Sequence, residues 1–262
     1  VIRATPKSRP SLDRAIADAV RQMQSASPVQ RTTGMSALVR YGSAALPSIR
    51  AGLRAASASG DQRLAICLDS VRWRILLPDA AMETLRYPLA RGSGEKKRDA
   101  IDRLGGYGAK SNDALNELAS DSDPLIRTAA VQGLFKVSNT NAINVISRLL
   151  NDPESSIRIA SAQTLGKMKS QRVLVGPLLA AALKDADEIV ACTAAAGLEE
   201  LKATDQTAEL IEALKDARWR VRAAAAYTLG RLEATSAKNG LLELLTEKDP
   251  YIAQVAVDAI NR

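Results

Sequence analysis

The sequence predicts an all-α chain of about eight repeated helix–turn–helix units, and three observations lead there. A motif of an aliphatic residue, Arg, a small residue and then Leu recurs at steps of 31, 33, 31 and 31 residues. The chain is 46% hydrophobic but only 3% aromatic, with a single Phe, so its core must be built of Ala, Leu, Ile and Val. Small facing residues let helices approach closely, which favours helix on helix over a β-sandwich. Finally, the 10 Pro and 15 Gly fall largely between the apolar segments rather than inside them.

The register is read from the aliphatic residue of the aliphatic-Arg pair, taken as position 0. It falls at Ile126, Ile157, Val190, Val221 and Ile252. Position 4 holds Ala130, Ser161, Ala194, Ala225 or Ala256, and position 8 holds Leu134, Leu165, Leu198, Leu229 or Ile260. Offsets of 0, 4 and 8 lie on one side of an α-helix, so each unit carries a helix with a narrow apolar stripe and a small residue at its centre. Acids precede every anchor: Asp121 and Asp123, Asp152, Asp185 and Asp187, Asp216, and Asp249. Three of them stand before Pro, at 123–124, 152–153 and 249–250. Asp as N-cap with Pro in the first turn is a helix start: the carboxylate accepts orphan N–H groups and Pro has none to lose. A shorter apolar segment precedes each of these acids, as in AINVISRLL (142–150), AELIEAL (208–214) and GLLELL (240–245), and completes the pair.

Upstream, residues 1–10, VIRATPKSRP, read as a flexible basic tail. A helix follows over 12–25, with Ser11 as its N-cap. VQRTTGMSALVRYG (29–42) keeps Arg31 and Leu38 with Gln30 at the anchor, and AALPSIRAGL (44–53) supplies the next short helix. DQRLAICLDSVRWRIL (61–76) is helical but fits no single register. EKKRDAIDRLGGYG (95–108) keeps Ala100 and Leu104-Gly105 with Lys96 at the anchor. The repeats are thus regular over 110–262 and divergent and Arg-rich over 11–109.

These residues resemble the HEAT family, specifically its short repeats, which favour the pattern D-P-x-x-x-V-R-x-x-A-x-x-x-L-G. The likeness is specific over 110–262 and looser over 29–108. It implies one right-handed α-solenoid over 11–262, with the striped helix of each pair lining the concave side. The repeat-spaced arginines Arg127, Arg158 and Arg222 stand beside repeat-spaced acids, which predicts ion pairs between neighbouring units; Ala191 and Ala253 interrupt that row.

Composition removes several chemistries. The chain has no His, which excludes Ser-His-Asp and Cys-His catalysis and His-ligated metals. Cys67 and Cys192 are too few and too far apart for a disulfide framework or a thiolate zinc site, and read as small buried residues. No cofactor, metal or catalytic residue is expected. No apolar run is long enough to span a membrane. The chain reads as soluble and cytoplasmic, or as exported if Val1 is a processed N-terminus.

Residues 1–95 carry 14 Lys/Arg against 7 Asp/Glu, and the remainder is balanced, so the whole net charge of +7 lies in the first third. Positions 2, 6 and 10 point away from the scaffold stripe, and one cluster of binding-type residues falls there or close by: Trp219, Arg220, Tyr227 and Arg231, with Tyr251 and Arg262 from the next unit. Trp, Tyr and Arg dominate interface hot spots because they bury much area and keep a polar handle. The leading expectation is a non-enzymatic scaffold or assembly subunit that binds a protein partner. The last helix, 250–262, ends with its stripe intact and no polar cap, so another chain or further residues should cover it. The alternative expectation is a nucleic-acid binder in which Arg40, Arg63, Arg72 and Arg74 meet phosphates. HEAT-like folds also include alkylpurine DNA glycosylases and phycobilin lyases, but no catalytic motif of either matches these residues.

Overall fold

The computed structural model describes residues 9–262, with side chains from residue 12 onward. Of the basic tail predicted over 1–10, residues 1–8 lie outside the described residues, while Arg9 and Pro10 open the first helix. Among the described residues there are sixteen α-helices and no strand. Among the described residues no helix is long and apolar enough to cross a membrane. The chain forms two compact units that divide in sequence at Leu104 and Gly105.

The first unit contains α1 (Arg9–Gln24), α2 (Pro28–Tyr41), α3 (Leu46–Ser59), α4 (Gln62–Leu76), α5 (Glu83–Arg91) and nearly all of α6 (Gly94–Gly105). Because α1 begins at Arg9, Ser11 sits in its first turn and is not the N-cap. The core joins Ile16, Ala19 and Met23 of α1 to Leu38, Ile49, Leu64, Leu68 and Val71. The register that α4 withheld in sequence follows from its cap. Asp61 accepts the Leu64 N–H at 3.0 Å, three residues before the anchor as in the regular units, which makes Leu64 the anchor. Leu68 is then position 4 and is fully buried. Position 5 is Asp69 and position 8 is Arg72, where every regular unit has Ala or Val and then Leu or Ile. The two form an ion pair, and Arg72 also lies 4.9 Å from the Trp73 ring centroid. Arg72, proposed from sequence as a phosphate contact, is therefore half-buried and turned onto Asp69. Burial pushes the Asp69 carboxyl up against the lowering pull of Arg72 and Lys97.

The second unit contains the short helices α7 (Asn112–Leu118), α9 (Thr140–Leu149), α11 (Arg172–Ala182), α13 (Thr207–Ala213) and α15 (Lys238–Leu244). They alternate with the striped helices α8 (Pro124–Val137), α10 (Ser155–Gly166), α12 (Glu188–Glu200), α14 (Trp219–Arg231) and α16 (Pro250–Ile260). Each striped helix packs on its own short partner and on the next striped helix. All five anchors are buried, and so are all five position-4 residues. Small residues set the closest approach: a Cβ at Gly166 would stand 2.6 Å from Gly197 Cα, and one at Gly230 2.6 Å from Ala259 Cα.

Two kinds of acid, which the sequence merged, do different work. Asp123, Asp187 and Asp249 are N-caps, accepting the N–H two residues on at 2.8–2.9 Å. Asp121, Asp152, Asp185 and Asp216 stand two residues earlier, each accepting the N–H two residues on at 2.8–3.0 Å and so closing the turn. Asp152 and Asp216 are therefore not caps; Glu154 and Arg218 take that backbone position without a side-chain bond.

The arginine after the anchor ties these turns together. Arg127 donates to the Asp121 and Ser122 carbonyls of its own turn at 2.9 and 3.2 Å, and through Nε and Nη2 to both Asp152 oxygens of the next turn at 2.8 and 2.9 Å. Arg158 repeats this with the Asp152 and Pro153 carbonyls and the Asp185 carboxylate. Arg222 does so with the Asp216 and Ala217 carbonyls and Glu247. At Ala191 the row does not break. Arg218 of the next turn reaches back to the Asp185 and Ala186 carbonyls at 2.6 and 3.2 Å and grips Asp216 through both oxygens at 2.9 and 2.8 Å. It replaces the missing side chain from a different sequence position, acceptor for acceptor. The Arg218 guanidinium lowers the Asp216 carboxyl in turn.

Two stability measurements check this packing. Ser161 Oγ is buried with no hydrogen-bond partner at a position that is Ala in the other four regular units. Ser161→Ala should raise stability by about 1 kcal/mol in urea unfolding, because an unmet hydroxyl costs about 1–3 kcal/mol when buried. Arg218→Ala should cost roughly 1–3 kcal/mol, and Ala191→Arg in that background should recover most of it. The Asp216 carboxyl is depressed in the fold, so its contribution is full above the unfolded carboxylate pKa and is lost as pH falls through the folded value. In Arg218→Ala that acid-side loss should shrink.

Candidate functional site

Residues opposite the buried stripe form the open face of the second unit. Position 6 carries Gln132, Gln163, Ala196, Tyr227 and Asp258, and all five are exposed. Position 10 carries Lys136, Lys167, Glu200, Arg231 and Arg262, also all exposed. Position 2 is less open than its spacing implied: Thr128, Ile159 and Cys192 are half-buried, Ala223 is buried and Gln254 alone is exposed. One row was missed in the sequence. The residue just before the anchor is exposed in every regular unit, as Leu125, Ser156, Ile189, Arg220 and Tyr251. Its signal was available, since the apolar Leu125 and Ile189 fall one residue off the buried register.

The face is a strip with small residues along its middle in four of the five units, Ala129, Ala160, Thr193 and Ala224 at position 3, and Val255 in the last. Its two edges are eleven residues apart, about 16 Å along a helix.

The predicted cluster assembles in part. Trp219 and Tyr251, on neighbouring striped helices, meet edge to face with centroids 5.9 Å apart and planes at 86°. Arg220 stacks on Trp219, with its guanidinium carbon 4.8 Å from the ring centroid, and pairs with Glu188 of the preceding unit. Tyr227 is half exposed on the same helix, about two turns beyond Arg220. Arg231, at the far edge, donates through Nε to Glu199 at 2.9 Å, and this bond raises its pKa. Arg262 sits away from the aromatic pair. It lines a cavity of about 360 Å³ with Glu233, Thr235, Lys238 and Leu241. Glu188 and Glu199 hold the two cluster arginines and were not singled out from the sequence.

Trp219, Tyr227 and Tyr251 are 41%, 50% and 59% exposed, so none is consumed by the core. Arg40, Arg63 and Arg74 of the first unit are exposed too. Cys67 and Cys192 are free and half-buried rather than buried. Burial and the nearby Glu188 push the Cys192 thiol up, so it stays protonated and is a poor nucleophile.

The sequence profile of the HEAT repeats matches residues 112–176 and 175–261. The chain belongs to the HEAT-repeat family. Its striped helices are the second helices of HEAT repeats, and the profile begins at α7, the first short helix of the regular half. No curated protein matches the chain in sequence. Among solved structures, E. coli YibA is 17% identical over the full length of both chains, with a TM-score of 0.45. The complex of CpcE and CpcF of phycocyanin lyase from Nostoc sp. is 22% identical, covering 71% of this chain and 79% of that one at a TM-score of 0.46. A computationally designed armadillo repeat protein for modular peptide recognition is 17% identical, covering 71% of this chain and 98% of that one at a TM-score of 0.43.

Proposed function

We propose that this HEAT-repeat protein is a non-enzymatic interaction scaffold that binds a partner protein across the open face of its striped helices. The observation that carries this is the division of labour within each repeat. Positions 0, 4 and 8 and the turn acids are nearly invariant among the units and are spent on packing. The exposed positions before the anchor and at 6 and 10 differ from unit to unit. Such positions can be matched to a partner without disturbing the stack, because each repeat rests only on its neighbours. Within the face, Trp219, Tyr227 and Tyr251 offer large, rigid apolar area beside hydrogen-bonding tips, and Arg220 and Arg231 are already held in place by Glu188 and Glu199. Side chains fixed before binding lose less entropy on contact.

The test is an affinity capture from a nuclease-treated lysate of the source organism, run with the protein and with a Tyr227→Ala/Arg231→Ala variant. A stoichiometric protein retained by the first and lost at least tenfold from the second is the expected result. Recovery of nucleic acid alone without nuclease, indifferent to the variant, would overturn the reading.

A further inference from the structure

The striped helices of the first unit carry an open face of a different kind. On α2 the positions before the anchor and at 2, 3, 6 and 10 are Val29, Thr32, Thr33, Ser36 and Arg40. On α4 they are Arg63, Ile66, Cys67, Ser70 and Arg74. The α2 register is secured by Arg31, which donates to the Ser25 and Ala26 carbonyls at 2.9 and 2.6 Å, the same grasp six and five residues back that Arg127 makes. Helices α2 and α4 pack on each other, so their two strips lie side by side.

Three features of this surface bear on what it can hold. Its cations are uncommitted: among the described residues Arg40, Arg63 and Arg74 are exposed and have no carboxylate partner, whereas Arg220 and Arg231 of the second unit do. α2 contains no acid, and the one acid inside α4, Asp69, faces inward onto Arg72. Second, the surface carries exposed aliphatic residues, Val29 at 75% and Ile66 at 41%, and no aromatic residue at any of the ten positions. Third, three of its four hydroxyls have their protons engaged. Thr32, Thr33 and Ser70 donate to the Pro28, Val29 and Ile66 carbonyls at 3.0, 2.9 and 2.9 Å. Their outward lone pairs are left to accept, and a shallow cavity of about 500 Å³ lies over Thr32, Thr33, Ser36 and Arg40.

From these we infer that α2 and α4 form a docking surface for an acidic, aliphatic-bearing segment of another protein. The inference rests on the scaffold reading and gives it a partner class and a second place. The segment's carboxylates pair with Arg40 and Arg74, which occupy the same position on neighbouring helices about 8–10 Å apart. Its aliphatic side chains cover Val29 and Ile66, and its backbone N–H groups donate to the threonine and serine oxygens. The last point separates a peptide from a nucleic-acid backbone, which has phosphates for the arginines but no N–H donors for the hydroxyls. Single strands also gain affinity by stacking on aromatic residues, and there are none here.

The probe is a fluorescein-labelled 12-residue peptide of four Glu-Glu-Leu triplets, followed by fluorescence anisotropy. It is compared with four Gln-Gln-Leu triplets and with a labelled 12-nucleotide single strand. The proteins are the unaltered chain, Arg40→Glu/Arg74→Glu, and Tyr227→Ala/Arg231→Ala, each checked for helicity by circular dichroism. Expected are saturable binding of the acidic peptide, at least tenfold weaker binding of the Gln peptide and of the single strand, and at least tenfold loss in Arg40→Glu/Arg74→Glu alone. Loss only in Tyr227→Ala/Arg231→Ala would overturn this docking surface while leaving the scaffold reading intact. A single strand bound more tightly than the peptide, or no binding of the acidic peptide, would also overturn it.

Discussion

A guanidinium gripped on two sides holds the regular half of this protein in register. In each clamp an arginine takes two backbone carbonyls from one turn and both oxygens of a carboxylate from the following turn. Hydrophobic contact between striped helices is non-directional and would tolerate sliding. The clamp is directional and sits in a partly buried place, with Arg127 and Asp152 side chains only 11% and 6% exposed. Apolar burial supplies the driving force, and the clamp selects one stacking geometry from the many that the same apolar stripes permit. Its restoration by Arg218 where position 1 is Ala191 shows that the geometry, not the sequence position, is what the stack requires.

Fixing the turns this way frees the opposite side of each helix. A residue at position 6 or 10 meets neither the clamp nor the stripe, so Gln, Ala, Tyr or Asp can stand there at little cost. The first unit shows the contrary arrangement. There Asp69 and Arg72 occupy positions that are apolar in every regular unit, and their pair is half-buried within one helix instead of bridging turns. Burying two charges is expensive, and such pairs are often no more stabilising than the apolar residues they displace. The raised pKa of Asp69 has the same cause.

Much of this was legible in the sequence, and what was not has physical reasons. Stripe and period are readable because burial forces a residue type at each position, and the regular units agree at 0, 4 and 8. The α4 register was hidden because stripe position 8 is Arg72 and the neighbouring position 5 is Asp69, and only the Asp61 cap reveals it. The two acid rows merged because capping and turn closure both ask for a short carboxylate two residues ahead of an N–H. Arg218 could not be recognised as a clamp residue, since it acts from the wrong side of the turn. Trp219 and Tyr251 were placed together because the period superimposes neighbouring helices, while Arg262, just beyond the end of α16, escapes that logic.

The central claim is that the clamp couples successive turns energetically, and a double-mutant cycle tests it most directly. Arg158→Ala, Asp185→Ala and the double variant would be compared with the unaltered protein by urea unfolding. Asp185 also closes its own turn by accepting the Asp187 N–H, and the cycle cancels that loss. A coupling of about 1.5–3 kcal/mol is predicted for the bidentate, charge-assisted pair. Additivity within about 0.5 kcal/mol would contradict the account, leaving the apolar stripes alone to set the stack.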